Sequence, residues 1–131
     1  MMENAELIDE IYERSLAERA IVCKGWIWGA GMLVSLPPEK GSEKRTTRRL
    51  IDGESVSAKS GVLPVLRDAP TRGCLLAIVR RVYNADVLVV PDVASRTAPS
   101  WRILAKKGLE KKLYATEAEA LVAALEAADG H

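Results

Sequence analysis

One histidine, two cysteines and 18 acidic side chains bound the chemistry open to this chain of 131 residues. The histidine, His131, is the last residue, and chain ends are usually poorly tethered. A Ser-His-Asp triad, a Cys-His pair and a histidine-rich zinc site are therefore not expected. Cys23 and Cys74 lie far apart and form no CxxC. Two thiols alone supply too few ligands for a zinc site. A disulfide between them stays open. Both sit in apolar runs, Ile21-Val22-Cys23 and Cys74-Leu75-Leu76, where a reduced, buried thiol is the plainer expectation.

The pairs Asp52/Glu54 and Asp86/Asp92 offer carboxylates for acid–base work or a divalent ion. Neither spacing fits a calcium loop, and each pair straddles a turn or a strand end, so they read as solvated turn residues. Gly29-Ala30-Gly31 lacks the third glycine and the following helix of a dinucleotide-binding loop, and reads as a bent or bulged strand. No Gly-x-Ser-x-Gly elbow is present. No catalytic, cofactor or metal site is expected, and the chain is not expected to be an enzyme.

Charge and aromatic residues leave two binding readings. The formal net charge of +1 is a cancellation. Residues 1–23 hold six acids and two bases, a net −4; residues 24–115 hold 17 bases and eight acids, a net +9; residues 116–131 hold four acids and no base. In the basic middle, Lys40, Lys44, Arg45, Arg48 and Arg49 cluster, and Arg80, Arg81, Lys106, Lys107, Lys111 and Lys112 add to them. With Trp26, Trp28 and Trp101 as stacking faces, they would suit a nucleic acid or another polyanion. Lys44, Arg45, Arg48 and Arg49 are the candidate contacts. The plainer reading is that acidic helices neutralise the basic strands, or that the bases form a solvated face. Trp26 and Trp28 are expected in the core; the alternative is a partner surface formed by Trp26, Trp28 and Trp101.

These residues must be held by ordinary elements. Leu7, Ile8, Ile11, Tyr12, Leu16 and Ala20 recur at helical spacing, which predicts an amphipathic helix over 4–22 with Asn4 as N-cap and Gly25 as its stop. Residues 26–36 read as extended, with Trp26 and Trp28 on one side. Arg45 to Ile51 reads as a second strand, and Asp52-Gly53 as a turn from which a run near Val56 pairs back. Residues 54–61 are the most loop-like stretch and the candidate flexible joint.

Asp68 as N-cap, Pro70 in the first turn and Asn84 as a left-handed end predict a helix over 69–84, with Leu75, Ile78, Val79 and Val82 buried. The β-branched run Val87 to Val90 reads as a strand covered on both faces. A loop follows over 91–100, then a strand over Trp101 to Ala105 and a turn at Lys107-Gly108. Thr116 and Glu119 have capping-box spacing, and open a last helix with Leu121, Val122 and Leu125 inward and Gly130 beyond its end.

Two stretches carry a family resemblance. Leu63-Pro64-Val65-Leu66, Asp68-Ala69-Pro70-Thr71 and Gly73-Cys74-Leu75-Leu76-Ala77 resemble a segment of small uncharacterised phage and prophage-encoded proteins, where the middle words are Asp-Pro-Ala-Thr. The Ala/Glu-rich run Thr116 to Ala128 resembles their end. The resemblance covers about the C-terminal half over Leu63–Arg80 and Thr116–Ala128. That family has no agreed activity, so the resemblance implies a genomic setting and no chemistry.

The expected architecture is one small α+β domain spanning 1–131, in the order helix, two or three strands, helix, two strands, helix, with a mainly antiparallel sheet and helices packed on it. The expected function is that of a non-enzymatic phage or prophage accessory protein that binds a host or phage protein. A nucleic-acid-binding module using residues 40–49, 80–81 and 106–112 is the alternative. No cofactor is expected. No apolar run approaches the roughly 18–20 residues of a membrane span, and the acidic start, Met1-Met2-Glu3, is unlike a secretory signal. The expected location is the cytoplasm, that of the host cell for a phage-encoded chain.

Overall fold

A computed structural model describes residues 4–57, 60–92, 100–105, 108–109 and 112–129, with side chains described from residue 10 onward except at 108–109. Three helices and two small antiparallel sheets alternate along the chain in the α+β order expected. Helix α1 spans Asn4–Ile21. Strands β1 (Leu33–Leu36), β2 (Thr46–Arg49) and β3 (Leu63–Pro64) form the first sheet in the order β2-β1-β3. Helix α2 (Ala69–Tyr83) leads to β4 (Leu88–Pro91), β5 (Trp101–Ala105) and β6 (Gly108–Leu109), which form the second sheet in that order. Helix α3, Glu117–Asp129, closes the chain.

Helix α3 is the centre of the core. It packs on α1, α2, β4 and β5, and Ala118, Ala120, Leu121, Val122, Ala124 and Leu125 are buried. Alternating alanines with larger side chains lets four elements approach one helix closely. The expected inward residues Leu121, Val122 and Leu125 are where the pattern puts them. Thr116 Oγ accepts from the Glu119 N–H at 3.1 Å. The Glu119 carboxylate does not reach back as a capping box would. It accepts from the Tyr12 hydroxyl instead and ties α3 to α1. Arg19 and Glu126 join the same helices at 2.5 and 3.1 Å. Their opposite charges meet where like-charged helices would otherwise repel.

Helix α2 ends as its sequence dictates. Asp68 is extended (φ −74°, ψ 124°) and accepts from the Thr71 N–H, Pro70 lies in the first turn, and Asn84 is left-handed (φ 49°, ψ 44°) with its N–H on the last carbonyls. Leu75, Ile78 and Val79 are buried. Val82, expected among them, is 39% exposed. It lies at the rim, against Gly25.

Other expectations are corrected. Ile11, expected on the buried stripe of α1, is 60% exposed, and burial begins in earnest at Leu16, Ala17 and Ala20. Glu10, Ile11, Glu13 and Arg14 line a groove instead, while Tyr12 packs against the core; the side chains of Leu7 and Ile8 lie outside the described residues. Residues 26–32 are not a strand; β1 starts only at Leu33. The Asp52-Gly53 turn forms, with Gly53 at φ 80°, but Val56 does not pair back across it. The outer edge of β2 stays unpaired; antiparallel β3 pairs with the other side of β1, with Val34 opposite Pro64, and Val56 packs against the core as a side chain. Residues 54–57 and 60–61 thus connect two strands of one sheet; 58–59 lie outside the described residues. The run Val87 to Val90 is not covered on both faces: Val87 is buried, but Leu88 is 43% exposed. The reason is position, since β4 is an edge strand and α3 covers one face of its sheet. The loop residues 93–99, Lys107 and Gly130 lie outside the described residues.

Gly25, expected as the stop of α1, lies four residues beyond its end at Ile21 and serves packing instead. A Cβ there would fall 2.5 Å from Val82 Cγ2 and 3.2 Å from Leu125 Cδ1, so α2 and α3 approach the chain only because the side chain is absent. Gly25→Ala is expected to destabilise the fold by about 1–3 kcal/mol through overpacking. Adding Val82→Ala should recover part of that loss. Urea denaturation of the single and double variants checks both statements.

Candidate binding groove and its arginine rim

The geometry of the first sheet follows from one residue. Leu33 turns both backbone groups away from β2: its N–H donates to Thr71 Oγ at 2.8 Å, and its carbonyl accepts from the Val65 N–H at 2.8 Å. Leu33 pairs with Arg49 and Val34 with Arg48. Arg48 therefore faces β1 in the ladder, while the backbone groups of Arg49 and Thr47 face outward. At the start of β1, Gly31 N–H donates to the Leu50 carbonyl at 3.0 Å, and Leu50 N–H donates to the Met32 carbonyl at 2.8 Å. Two residues opposing one make a bulge, with Gly31 at φ 91°. Gly29-Ala30-Gly31 is thus a turn leading into β1, closed by the Met32 N–H on the Gly29 carbonyl at 3.3 Å.

The three arginines proposed as polyanion contacts are each engaged. Arg48 grips Glu54 with both guanidinium nitrogens, one at 2.9 Å. Arg49 holds Asp68 at 2.9 and 3.2 Å and the Gly31 carbonyl at 2.8 Å. Arg45 donates to Ser35 Oγ (2.8 Å), the Ser35 carbonyl (3.0 Å) and the Gly61 carbonyl (2.7 Å). These acceptors are neutral, and no carboxylate lies within ion-pair distance among the described residues. Burial lowers the Arg45 pKa, and Arg14 nearby lowers it further. Lys40 and Lys44 are exposed, and Lys44 stands on the groove wall. Elsewhere Arg80 Nε donates to the Val87 carbonyl at 2.9 Å, Arg81 is exposed, and Lys112 stands 5.3 Å over the Tyr114 ring. Lys106, Lys107, Lys111 and His131 lie outside the described residues.

The tryptophans are neither fully buried nor fully exposed. Trp26 and Trp28 meet edge to face, 5.3 Å between centroids and 87° between planes, and both are half-buried against the core. Trp101 is half-buried in β5 and pairs through its backbone with both Pro91 and Tyr114.

Between α1, the β1–β2 hairpin and the β3 segment runs a groove of about 770 Å³. Sequence reading missed it. Its signal was Ile11, an apolar residue in helical register that is 60% exposed. Ile11, Ala17, Leu63 and Pro64 give the groove apolar walls; Arg14, Lys44, Arg45 and Arg67 give it positive ones, and Glu10, Glu13 and Glu43 negative ones. Glu13 is 3.4 Å from Arg67, and Arg14 is 3.4 Å from Glu18. These pairs are exposed and worth about 0–1 kcal/mol each. A second, smaller cavity of about 120 Å³ is lined by Val34, Leu36, Leu50, Ser55, Val56 and Val62.

No family model, curated protein or solved structure matches the chain. The site is therefore read from its own chemistry. Among the described residues no three His, Cys, Asp or Glu side chains gather for a metal ion, and no helix is long and apolar enough to cross a membrane. Asp52 and Asp86 are exposed; Glu54 belongs to Arg48, and Asp92 lies 3.8 Å from Arg102. Both cysteines are free thiols. Burial pushes Cys23 up to about 11, far from a reactive thiolate.

Two carboxylates of the rim are strongly acidic. Arg48 holds Glu54 down at about 2, with the Ile51 N–H assisting; Arg49 holds Asp68 at about 2, with Thr71 assisting. Their pKa values are lower folded than unfolded, where carboxylates sit near ~4. The stabilisation is thus present above about pH 4 and lost as pH falls toward 2. Melting temperatures measured from pH 7 to pH 2 should fall along this limb. Asp68→Asn, which keeps a capping side chain but loses the charge, should lower stability at pH 7 and flatten the limb.

Proposed function

We propose that this chain is a non-enzymatic accessory protein that works by binding another protein through the groove between α1 and the first sheet. The observation that carries this is the groove itself, where an uncovered Ile11 stands among charges of both signs. Mixed polarity around an apolar anchor suits a protein surface better than a polyphosphate. The β2 arginines favour the same reading, because Arg48 and Arg49 already have bidentate carboxylate partners and would have to surrender them to a phosphate. The resemblance of Leu63–Arg80 and Thr116–Ala128 to phage and prophage proteins supports a phage or prophage setting, with a host or phage protein as partner and the host cytoplasm as location.

Affinity capture from nuclease-treated host and phage lysates tests the reading. The wild-type chain should retain a discrete protein, and Ile11→Asp, a change at an exposed position, should retain at least ten-fold less. Capture of nothing, or loss of capture on nuclease treatment, counts against it.

A second reading keeps the nucleic acid. Lys40, Lys44 and Arg81 are exposed, and none is within ion-pair distance of a described carboxylate. Lys40→Glu with Lys44→Glu is the sound charge-reversal test, since reversing Arg48 or Arg49 would break ion pairs of the fold. Gel shifts that weaken steeply with salt and with this double variant would support it. No shift at low salt sinks it.

A further inference from the structure

We infer that the open edge of β2 is where the partner docks, and that the docking element is an extended, acid-rich segment added as a fourth strand. This rests on the protein-binding reading. The first sheet ends at β2, and all four of its residues are exposed. The turn of Leu33 toward Thr71 and Val65 leaves the N–H and C=O of Thr47 and Arg49 facing away from β1. That two-residue spacing is what an incoming strand bonds. Thr46 and Thr47 are β-branched and favour the extended form.

Charge chooses the occupant. Residues 44–49 hold Lys44, Arg45, Arg48 and Arg49 and no acid. Glu54 and Asp68 engage two of these cations, which leaves Lys44 and Arg45 unmatched on the groove side. A second copy laid along β2 would set two such basic strands side by side, and cross-strand like charges repel. An acidic strand meets the opposite sign along the same seam. Thr47 and Arg45 line the groove, so alternate side chains of the added strand enter it, toward Ile11.

Selection from a random decapeptide display library on the full chain tests this directly. Enriched peptides should be rich in Asp and Glu, free of internal proline, and bound at least ten-fold more weakly by Thr47→Pro than by Thr47→Val. Proline at 47 removes an outward N–H and no bond to β1, and the native fold of both variants is checked by circular dichroism. Should Thr47→Pro not fold, hydrogen exchange on the wild type decides. Thr47 and Arg49 amides should exchange fast in the free chain and at least ten-fold slower with the enriched peptide bound.

Basic or proline-rich winners, no enrichment, unchanged Thr47 and Arg49 exchange, or a dimer paired through β2 would each overturn the proposal. Its failure is separable from that of the protein-binding reading. Lysate capture that depends on Ile11 but persists in Thr47→Pro leaves a protein partner and removes the edge strand.

Discussion

A single carboxylate joins the parts of this fold that a short sheet cannot hold alone. Asp68 caps α2 through the Thr71 N–H at 3.2 Å, accepts the Thr71 hydroxyl at 2.7 Å, and holds Arg49 of β2. Thr71, fully buried, passes the constraint on by accepting the Leu33 N–H of β1. One cap thus fixes a helix start, a strand register and the direction in which β2 presents its backbone. A two-residue β3 and four-residue β1 and β2 have few ladder bonds of their own, and short isolated strands are marginal. The helix end supplies what the ladder lacks.

The uneven charge of the chain resolves in a way composition does not suggest. The acidic termini do not simply cover the basic middle. They pack on each other, with Arg19 set against Glu126 and Tyr12 against Glu119. The hairpin arginines find their acids within the middle segment, at Glu54 and Asp68. Among the described residues, the ion pairs that cross between the two regions are Arg67 with Glu13 and Arg72 with Glu117 at 3.9 Å, and the Lys24 N–H donates to Asp129 at 2.9 Å. Of the described bases that no carboxylate meets at ion-pair distance, Lys40, Lys44 and Arg45 lie on or beside the first sheet, two of them bordering the groove, while Arg80, Arg81 and Lys112 lie elsewhere. Part of the unmatched positive charge thus stands beside the open strand.

What local chemistry dictates was legible. Asp68, Pro70 and Asn84 place the ends of α2 within a residue, because caps act through groups one to four positions away. Thr116 opens α3 for the same reason. Apolar periodicity was less dependable. Ile11, Val82 and Leu88 fit their patterns and are 60%, 39% and 43% exposed, since a pattern says which face is apolar and not how far the neighbouring element extends. The β3 segment was unreadable as a strand: two residues, one a proline, carry no periodicity, and they pair only because β1 offers them an edge.

The sequence by itself determined the order of helices and strands, the ends of α2 and the basic centre between acidic ends, all of them statements about neighbours in the chain. Tertiary structure alone decided which carboxylate each arginine holds, that Arg45 is left with neutral acceptors, that Gly25 must lack a side chain against Val82, and that α1 overhangs a groove beside an unpaired strand edge. Those depend on approach between residues distant in sequence, which packing sets and local preference does not encode.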